Sequence, residues 1–285
     1  MPNYFEFKRE HFDILNGWEV LIGATKTKLI KHDFDRNSHL VVAGTTGSGK
    51  SVFLKSVIST LVARQTKNTN LFLIDLKGGV ALNRFSRLEQ VEGFAKNPVE
   101  ALIVLKDAQA RMNAQLDYLL AYGYEDMKEA GFADRFFIII DEAADIGQHE
   151  ECQSIVEDIA RRGRAAGFNL IYCSQYVTTQ VMSSQVKQNC SSQVCFRLKT
   201  EIASRVVLDE GGAEKIPIIP GRAIYRADKK IDVQTPFMSN DFINETIKPH
   251  ITFKGRKEGY CHETNNREGT KNGSHTLHIE EIGLR

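Results

Sequence analysis

The sequence predicts an α/β fold: a mostly parallel sheet with helices on both faces. Three observations carry that expectation. Short apolar runs of strand length alternate with longer helical patterns, several of those runs are apolar throughout, and a glycine-rich turn joins one of them directly to a helix. Residues 39–43 form the first run, and 51–64 place Val52, Leu54, Val57, Ile58, Leu61 and Val62 at helical spacing. Residues 71–74 read as a second strand, and 98–120 as a long helix that Pro98 can open. A third strand at 136–140, a helix at 154–166 and a fourth strand at 170–173 follow, with further strands at 194–198 and 223–225.

The flanks read differently. Residues 1–36 mix Tyr4, Phe5, Phe7, Phe12 and Trp18 with Lys26, Lys28 and Lys31, which suggests an N-terminal arm or hairpin too small to be a domain. The α/β unit is expected over 37–250. Residues 251–285 form a polar tail with almost no apolar content up to Ser274, expected to be flexible. Its end, Thr276 to Ile282, alternates apolar and polar residues and fits either an added strand or a partner-binding segment.

Composition excludes several classes. With 42% hydrophobic and 26% charged residues, the 285-residue chain can bury a sizeable core, so disorder over its whole length is excluded. Lys+Arg 37 against Asp+Glu 36 leaves a net charge of +1, so contact with nucleic acid has to come from local patches. No apolar run approaches the roughly 18–20 residues of a membrane span, and the N-terminus has no secretory pattern. The five cysteines contain no CxxC pair, and the adjacent Cys261 and His262 are too few ligands for a metal site. A reduced, cytoplasmic chain is expected.

Gly44-Thr45-Thr46-Gly47-Ser48-Gly49-Lys50-Ser51 fits G-x-x-x-x-G-K-[ST] at every fixed position, after a strand and before a helix. Glycines there let backbone N–H groups turn inward around phosphates, and the helix start adds its positive dipole end, with Val52 next in line. Lys50 is placed to reach the β- and γ-phosphates of ATP, and the Ser51 hydroxyl to ligate Mg²⁺. The strand at 136–140 then delivers Asp141 and Glu142, the first a candidate for the Mg²⁺ shell and the second for orienting or deprotonating water. Gln175, at the end of the fourth strand, is a candidate γ-phosphate or water contact. Arg161, Arg162 and Arg164 close a helix, where cations are favourable and where an arginine finger toward a neighbouring subunit is the sharper reading.

From about residue 39 to 228 the order of motifs resembles the FtsK/SpoIIIE branch of the FtsK–HerA motor ATPases. The residues carrying the likeness are Ile139-Ile140-Asp141-Glu142-Ala143-Ala144-Asp145, Arg164-Ala165-Ala166-Gly167 and Ser174-Gln175. Val186 to Asn189, Phe196-Arg197, Ser204 to Asp209 and Gly211 to Lys215 continue it. The resemblance implies a RecA-like P-loop NTPase core, assembly into a homo-hexameric ring, and ATP-driven pumping of double-stranded DNA. It assigns Arg164 as a trans arginine and Arg205 as a second subunit-contact candidate.

The sequence shows no membrane domain, long linker or winged-helix module. That favours a minimal mobile-element motor of plasmid, conjugative or phage origin, working with a recruiting protein such as a replication initiator, relaxase or membrane channel. Asp75-Leu76-Lys77-Gly78-Gly79 resembles instead a stretch of type VII secretion ATPases, which act on proteins. Lys77, Arg84 and Arg87, after the second strand, are the candidate DNA contacts. An ATP-gated scaffold without turnover is a third reading, which the presence of Glu142 opposes.

Overall fold

The structure is a computed structural model that describes residues 2–175, 177–178 and 181–252. Beyond its first two positions, the tail expected over 251–285 lies outside the described residues, as do Cys261 and His262. The described elements begin with α1 (Glu10–Asp13), β1 (Glu19–Ala24), β2 (Leu29–Asp33), β3 (Leu40–Ala43) and α2 (Lys50–Arg64). They continue through β4 (Thr69–Ile74), β5 (Val91–Ala95), α3 (Pro98–Tyr122), β6 (Arg135–Ile140), α4 (Ala143–Ile146), α5 (Glu150–Arg162) and β7 (Phe168–Ser174). Last come α6 (Ser184–Asn189), β8 (Ser192–Phe196), α7 (Glu201–Leu208), β9 (Arg222–Arg226), β10 (Lys230–Gln234) and α8 (Asn240–Ile247).

The ten strands of the described residues lie in one sheet, ordered β2-β1-β10-β9-β8-β3-β7-β6-β4-β5. From β8 to β5 every pairing is parallel, and from β8 out to β2 every pairing is antiparallel. The expected mostly parallel α/β core is therefore present, extended by an antiparallel flank. Alternate residues of the central strands feed two cores. Val41, Ala43, Phe136, Ile138 and Ile140 pack with α3, α5 and α7 on one face. Leu40, Val42, Phe137 and Ile139 pack with α2 and α8 on the other. Strands buried on both faces need apolar residues at every position, which is why their runs are continuous.

Local chemistry sets the element ends. Asn97 caps α3 by accepting from Glu100 N at 3.0 Å, Pro98 opens the helix, and Gly123 at φ 75° closes it. Between α3 and α5 stands Asp158, which accepts from Gln109 at 2.8 Å and from Arg161 at 2.9 Å. It also pairs with Arg162, which in turn donates to Asn113 at 2.8 Å. The Arg162 hydrogen bonds, aided by Gln109 and opposed by burial, hold the Asp158 carboxyl down to about 2.

The N-terminal segment joins the same sheet. Strands β1 and β2 form an antiparallel hairpin, and β1 meets β10 at Ala24 opposite Gln234. Gly23 allows that seam, since a Cβ there would stand 2.4 Å from Gln234 O. The described cysteines Cys152, Cys173, Cys190 and Cys195 are buried and free, with burial pushing the Cys190 thiol up to about 12. Among the described residues, no helix is long and apolar enough to cross a membrane.

Two stability outcomes follow. Gly23→Ala lowers Tm by several degrees in calorimetry, from ~1–3 kcal/mol of overpacking at the β1–β10 seam; an unchanged Tm would mean the seam is not made. Asp158→Asn also lowers Tm near neutral pH. Because the folded carboxyl is held below its ordinary value of 3.8, this stabilisation is full above 3.8 and is lost as pH falls through about 2, so the Tm gap should close over that interval.

Candidate functional site

The site forms where the parallel strands end. Gly44 N donates to Ser174 O at 3.2 Å, and Thr45 N to Arg197 O at 3.1 Å, so the loop after β3 is tied to the ends of both neighbouring strands. Gly47 and Gly49 take φ values of 77° and 109°, a region that costs other residues strain. Behind the loop, Gly221 N donates to Ser48 O at 2.8 Å, and a Cβ on Gly49 would stand only 2.7 Å from that same nitrogen. Phe53 N bonds back to Gly49 O at 2.9 Å as the helical ladder of α2 begins. The N–H groups of Lys50, Ser51 and Val52 thus belong to the open, positive end of the helix.

Strand β7 lies between β3 and β6 in the sheet, so its end stands between the loop and the carboxylates. Lys50 crosses that gap. Its Nζ donates to Asp141 O at 2.9 Å and lies 3.9 Å from both Asp141 Oδ1 and Glu142 Oε2. All three side chains are buried, at 2–3% exposure, so each depends on the others for charge compensation. Glu142 Oε1 accepts from Ser174 Oγ and from Gln175 N, both at 3.1 Å. Gln175 Oε1 accepts from Thr46 Oγ1 at 3.0 Å, which closes a chain of contacts from Glu142 back to the loop.

Burial pushes the Asp141 carboxyl above its ordinary range, with Lys50 opposing the shift and Asp75 adding to it. Asp141 Oδ1 and Ser48 Oγ are buried and make no hydrogen bond among the described residues. A buried acceptor without a partner costs ~1–3 kcal/mol, and a divalent cation at Asp141 would offset that cost while lowering the carboxyl's affinity for protons. The open start of α2, Lys50 and Asp141 therefore fit an Mg²⁺–nucleoside triphosphate. When bound, that group would supply the phosphoryl bond to be cleaved and the metal's charge. This chain's groups would bind the phosphates (44–52), ligate the metal (Ser51, Asp141) and orient water (Glu142, with Gln175).

The remaining predicted residues sit elsewhere. Arg164 lies in the turn before β7, at the opposite end of that strand from Ser174, about 20 Å away at ~3.3 Å per residue. Its carbonyl accepts from Gly167 N at 3.2 Å, but its guanidinium makes no hydrogen bond or ion pair among the described residues and cannot reach its own chain's phosphate loop. Arg205 is engaged by Glu201 one helical turn back, at 2.6 Å. Arg87 is exposed, and Arg84 is half-buried. Burial and then the Arg84 guanidinium lower the Lys55 pKa, which places Arg84 beside the second turn of α2.

Lys77 is brought into the site itself, with Nζ 3.0 Å from Glu142 Oε2. Two groups without a role in the sequence reading also belong here: Ser174, through its bond to Glu142, and Asp75. Asp75 is fully buried and accepts from the amides of Lys77, Ala81 and Leu82 at 3.2, 2.8 and 3.0 Å. Its signal was available, as the carboxylate ending the apolar run Leu71 to Ile74.

The Gly49 geometry makes one outcome specific. Gly49→Ala must displace either the loop or the Gly221 turn, so binding of a fluorescent ATP analogue should weaken about tenfold or more (~1.4 kcal/mol). Unchanged affinity in a titration would remove the loop from the binding site.

Comparison with known proteins agrees with this architecture. Residues 4–136 match the family model described as the FtsK/SpoIIIE family. The DNA translocase FtsK of Caldanaerobacter subterraneus is 30% identical over 245 residues, covering 80% of this chain and 34% of that protein. The DNA translocase SpoIIIE of Bacillus subtilis is 26% identical over 259 residues, covering 82% and 33%. The chain thus spans about a third of the length of these relatives. Among solved structures, the pCW3 conjugation coupling protein TcpA superposes with a TM-score of 0.78 at 24% identity, covering 87% of this chain and 75% of that one. The cytoplasmic domain of the Thermomonospora curvata type VII secretion ATPase EccC gives 0.72 at 20% identity, covering 83% and 31%. The two superpositions bear on the fold; together with the phosphate loop and strand-end carboxylates, the family match gives residues 4–136 as an FtsK/SpoIIIE family domain in a chain with the motifs of a P-loop ATPase.

Proposed function

We propose that the chain is an ATP-driven motor that translocates double-stranded DNA. The observation that carries this reading is the Lys50–Asp141–Glu142 cluster, set by Ser174 and Gln175 against the phosphate loop, in a chain whose relatives are named DNA translocases. A buried carboxylate held by two donors and facing a phosphate site is placed to turn over ATP, which disfavours a passive scaffold. Residues 44–52 bind the phosphates, Ser51 and Asp141 hold Mg²⁺, and Glu142 orients the attacking water beside Gln175. TcpA, whose structure carries ATPγS and which is a conjugation coupling protein, supports a role in plasmid or phage DNA transfer, replication or packaging.

The working unit is residues 37–250, with the N-terminal segment joined to its sheet, assembled as a homo-hexameric ring in the cytoplasm, on which a replication initiator, relaxase or membrane channel would act as recruiter. In such a ring Arg164, and with it Arg205, faces the neighbouring subunit's nucleotide. The position of Arg164 at the far end of β7 supports an action in trans, since its own site is out of reach. Arg84 and Arg87 are the further candidates for phosphate contact.

A second reading has its own observation. The Asp75-Leu76-Lys77-Gly78-Gly79 loop and the superposition on EccC favour a protein-secretion ATPase, whose substrate would be a peptide.

Steady-state ATP hydrolysis with and without long duplex DNA separates the two. Translocation predicts DNA-stimulated turnover that falls by about 10²-fold or more in Glu142→Gln, in line with a positioned base, and is lost in Lys50→Ala. Equal turnover with and without DNA at low and moderate salt, where phosphate contacts are strongest, overturns the DNA reading and leaves the peptide one.

A further inference from the structure

The two oxygens of Glu142 have different keepers. Oε1 is held from within the strand ends, by Ser174 Oγ and Gln175 N at 3.1 Å. Oε2 is held from outside, by Lys77 Nζ at 3.0 Å, closer than Lys50 Nζ at 3.9 Å. Unlike Lys50, Lys77 is reachable from solvent: its side chain is 41% exposed, while that of Glu142 is 3%.

The loop that carries Lys77 is fixed at both ends and exposed at its tip. Asp75 anchors it by accepting from the amides of Lys77, Ala81 and Leu82. Between these anchors, Gly78 and Gly79 turn the chain at φ 77° and 80°, and Val80 stands 83% exposed at the tip. The Lys77 stem therefore runs from an anchored, solvent-facing loop to a buried carboxylate. That ammonium crowds the one oxygen of Glu142 that accepts no hydrogen bond among the described residues, the oxygen left to accept a proton from water.

We propose that Lys77 is a latch on Glu142, a positioning residue that withholds the carboxylate from water until a DNA phosphate draws the same ammonium outward. The flexible four-carbon stem can offer its charge to either anion. A duplex presents one negative charge per ~1.7 Å of its length, so a strand passing the loop competes strongly for a cation at its rim. No bond is made or broken in this exchange; one ion pair replaces another, and Glu142 keeps its Ser174 and Gln175 contacts throughout. The proposal rests on the roles assigned above to Glu142 and to DNA.

The test compares wild type, Lys77→Met and Lys77→Arg in ATP hydrolysis with and without long duplex DNA. Lys77→Met should raise DNA-free turnover on the order of tenfold, a modest part of the ~10²–10⁴ that a positioned base supplies, and should respond no further to DNA. Lys77→Arg, which keeps the charge, should remain low and stimulable. If Lys77→Met is as slow as wild type without DNA, or is still fully stimulated, the latch is wrong while the DNA reading stands. If wild type itself ignores DNA, the DNA reading fails and takes the releasing phosphate with it.

A measurement without nucleotide tests the pair directly. Lys77→Met should lower Tm by about 2–4 °C in the wild-type background and leave it unmoved in Glu142→Gln, where no charge remains to be paired. Equal shifts in both backgrounds overturn the proposal.

Discussion

Burying three charged side chains at the end of a dry parallel sheet is the constraint on which the rest of this molecule depends. Lys50, Asp141 and Glu142 have lost nearly all contact with water, and an unpaired charge there would cost about 3–5 kcal/mol, a large share of a fold's net stability. Their mutual placement is fixed by backbone: β3 and α2 set Lys50, β6 sets the carboxylates, and β7 slots between them. The two apolar cores hold these strands in register, so packing far from the site decides distances within it.

The same arrangement ties chemistry to conformation. The polar contacts of Glu142 come from three separate elements: Ser174 and Gln175 from the end of β7, Lys77 from the loop after β4, and Lys50 from α2. A shift of any one of these elements alters the environment of a single carboxylate. The site is thus a junction whose state reports the position of three strand ends.

Much of this was legible in the sequence because parallel strands buried on both faces write unbroken apolar runs. The strands at 136–140 and 170–173 and the helix opened by Pro98 are such cases, and the phosphate loop is a fixed-spacing motif. Strand β5 (Val91-Glu92-Gly93-Phe94-Ala95) was not legible, since an edge strand may carry Glu92 and Gly93 where a central one cannot. Strand β10, Lys230 to Gln234, alternates with charge and gains its place only from pairing with β9 and β1. The Lys77–Glu142 pair was hidden for another reason: 65 positions of sequence separate the partners, and a lysine followed by two glycines reads as an ordinary solvated turn.

Gly221, which backs the phosphate loop, has a consequence for the order in which the molecule is made. The loop at 44–51 leaves the ribosome early, yet the turn that braces it arrives only after most of the parallel sheet has been synthesised. Arg222, next to that turn, donates to Pro2 O at 2.7 Å and to Asn3 Oδ1 at 3.1 Å, so the N-terminal segment closes on the same spot. A nascent chain stalled before residue 221 carries the full phosphate-binding motif without its support. The brace behind the phosphate loop is therefore synthesised only after the loop and all of the parallel strands.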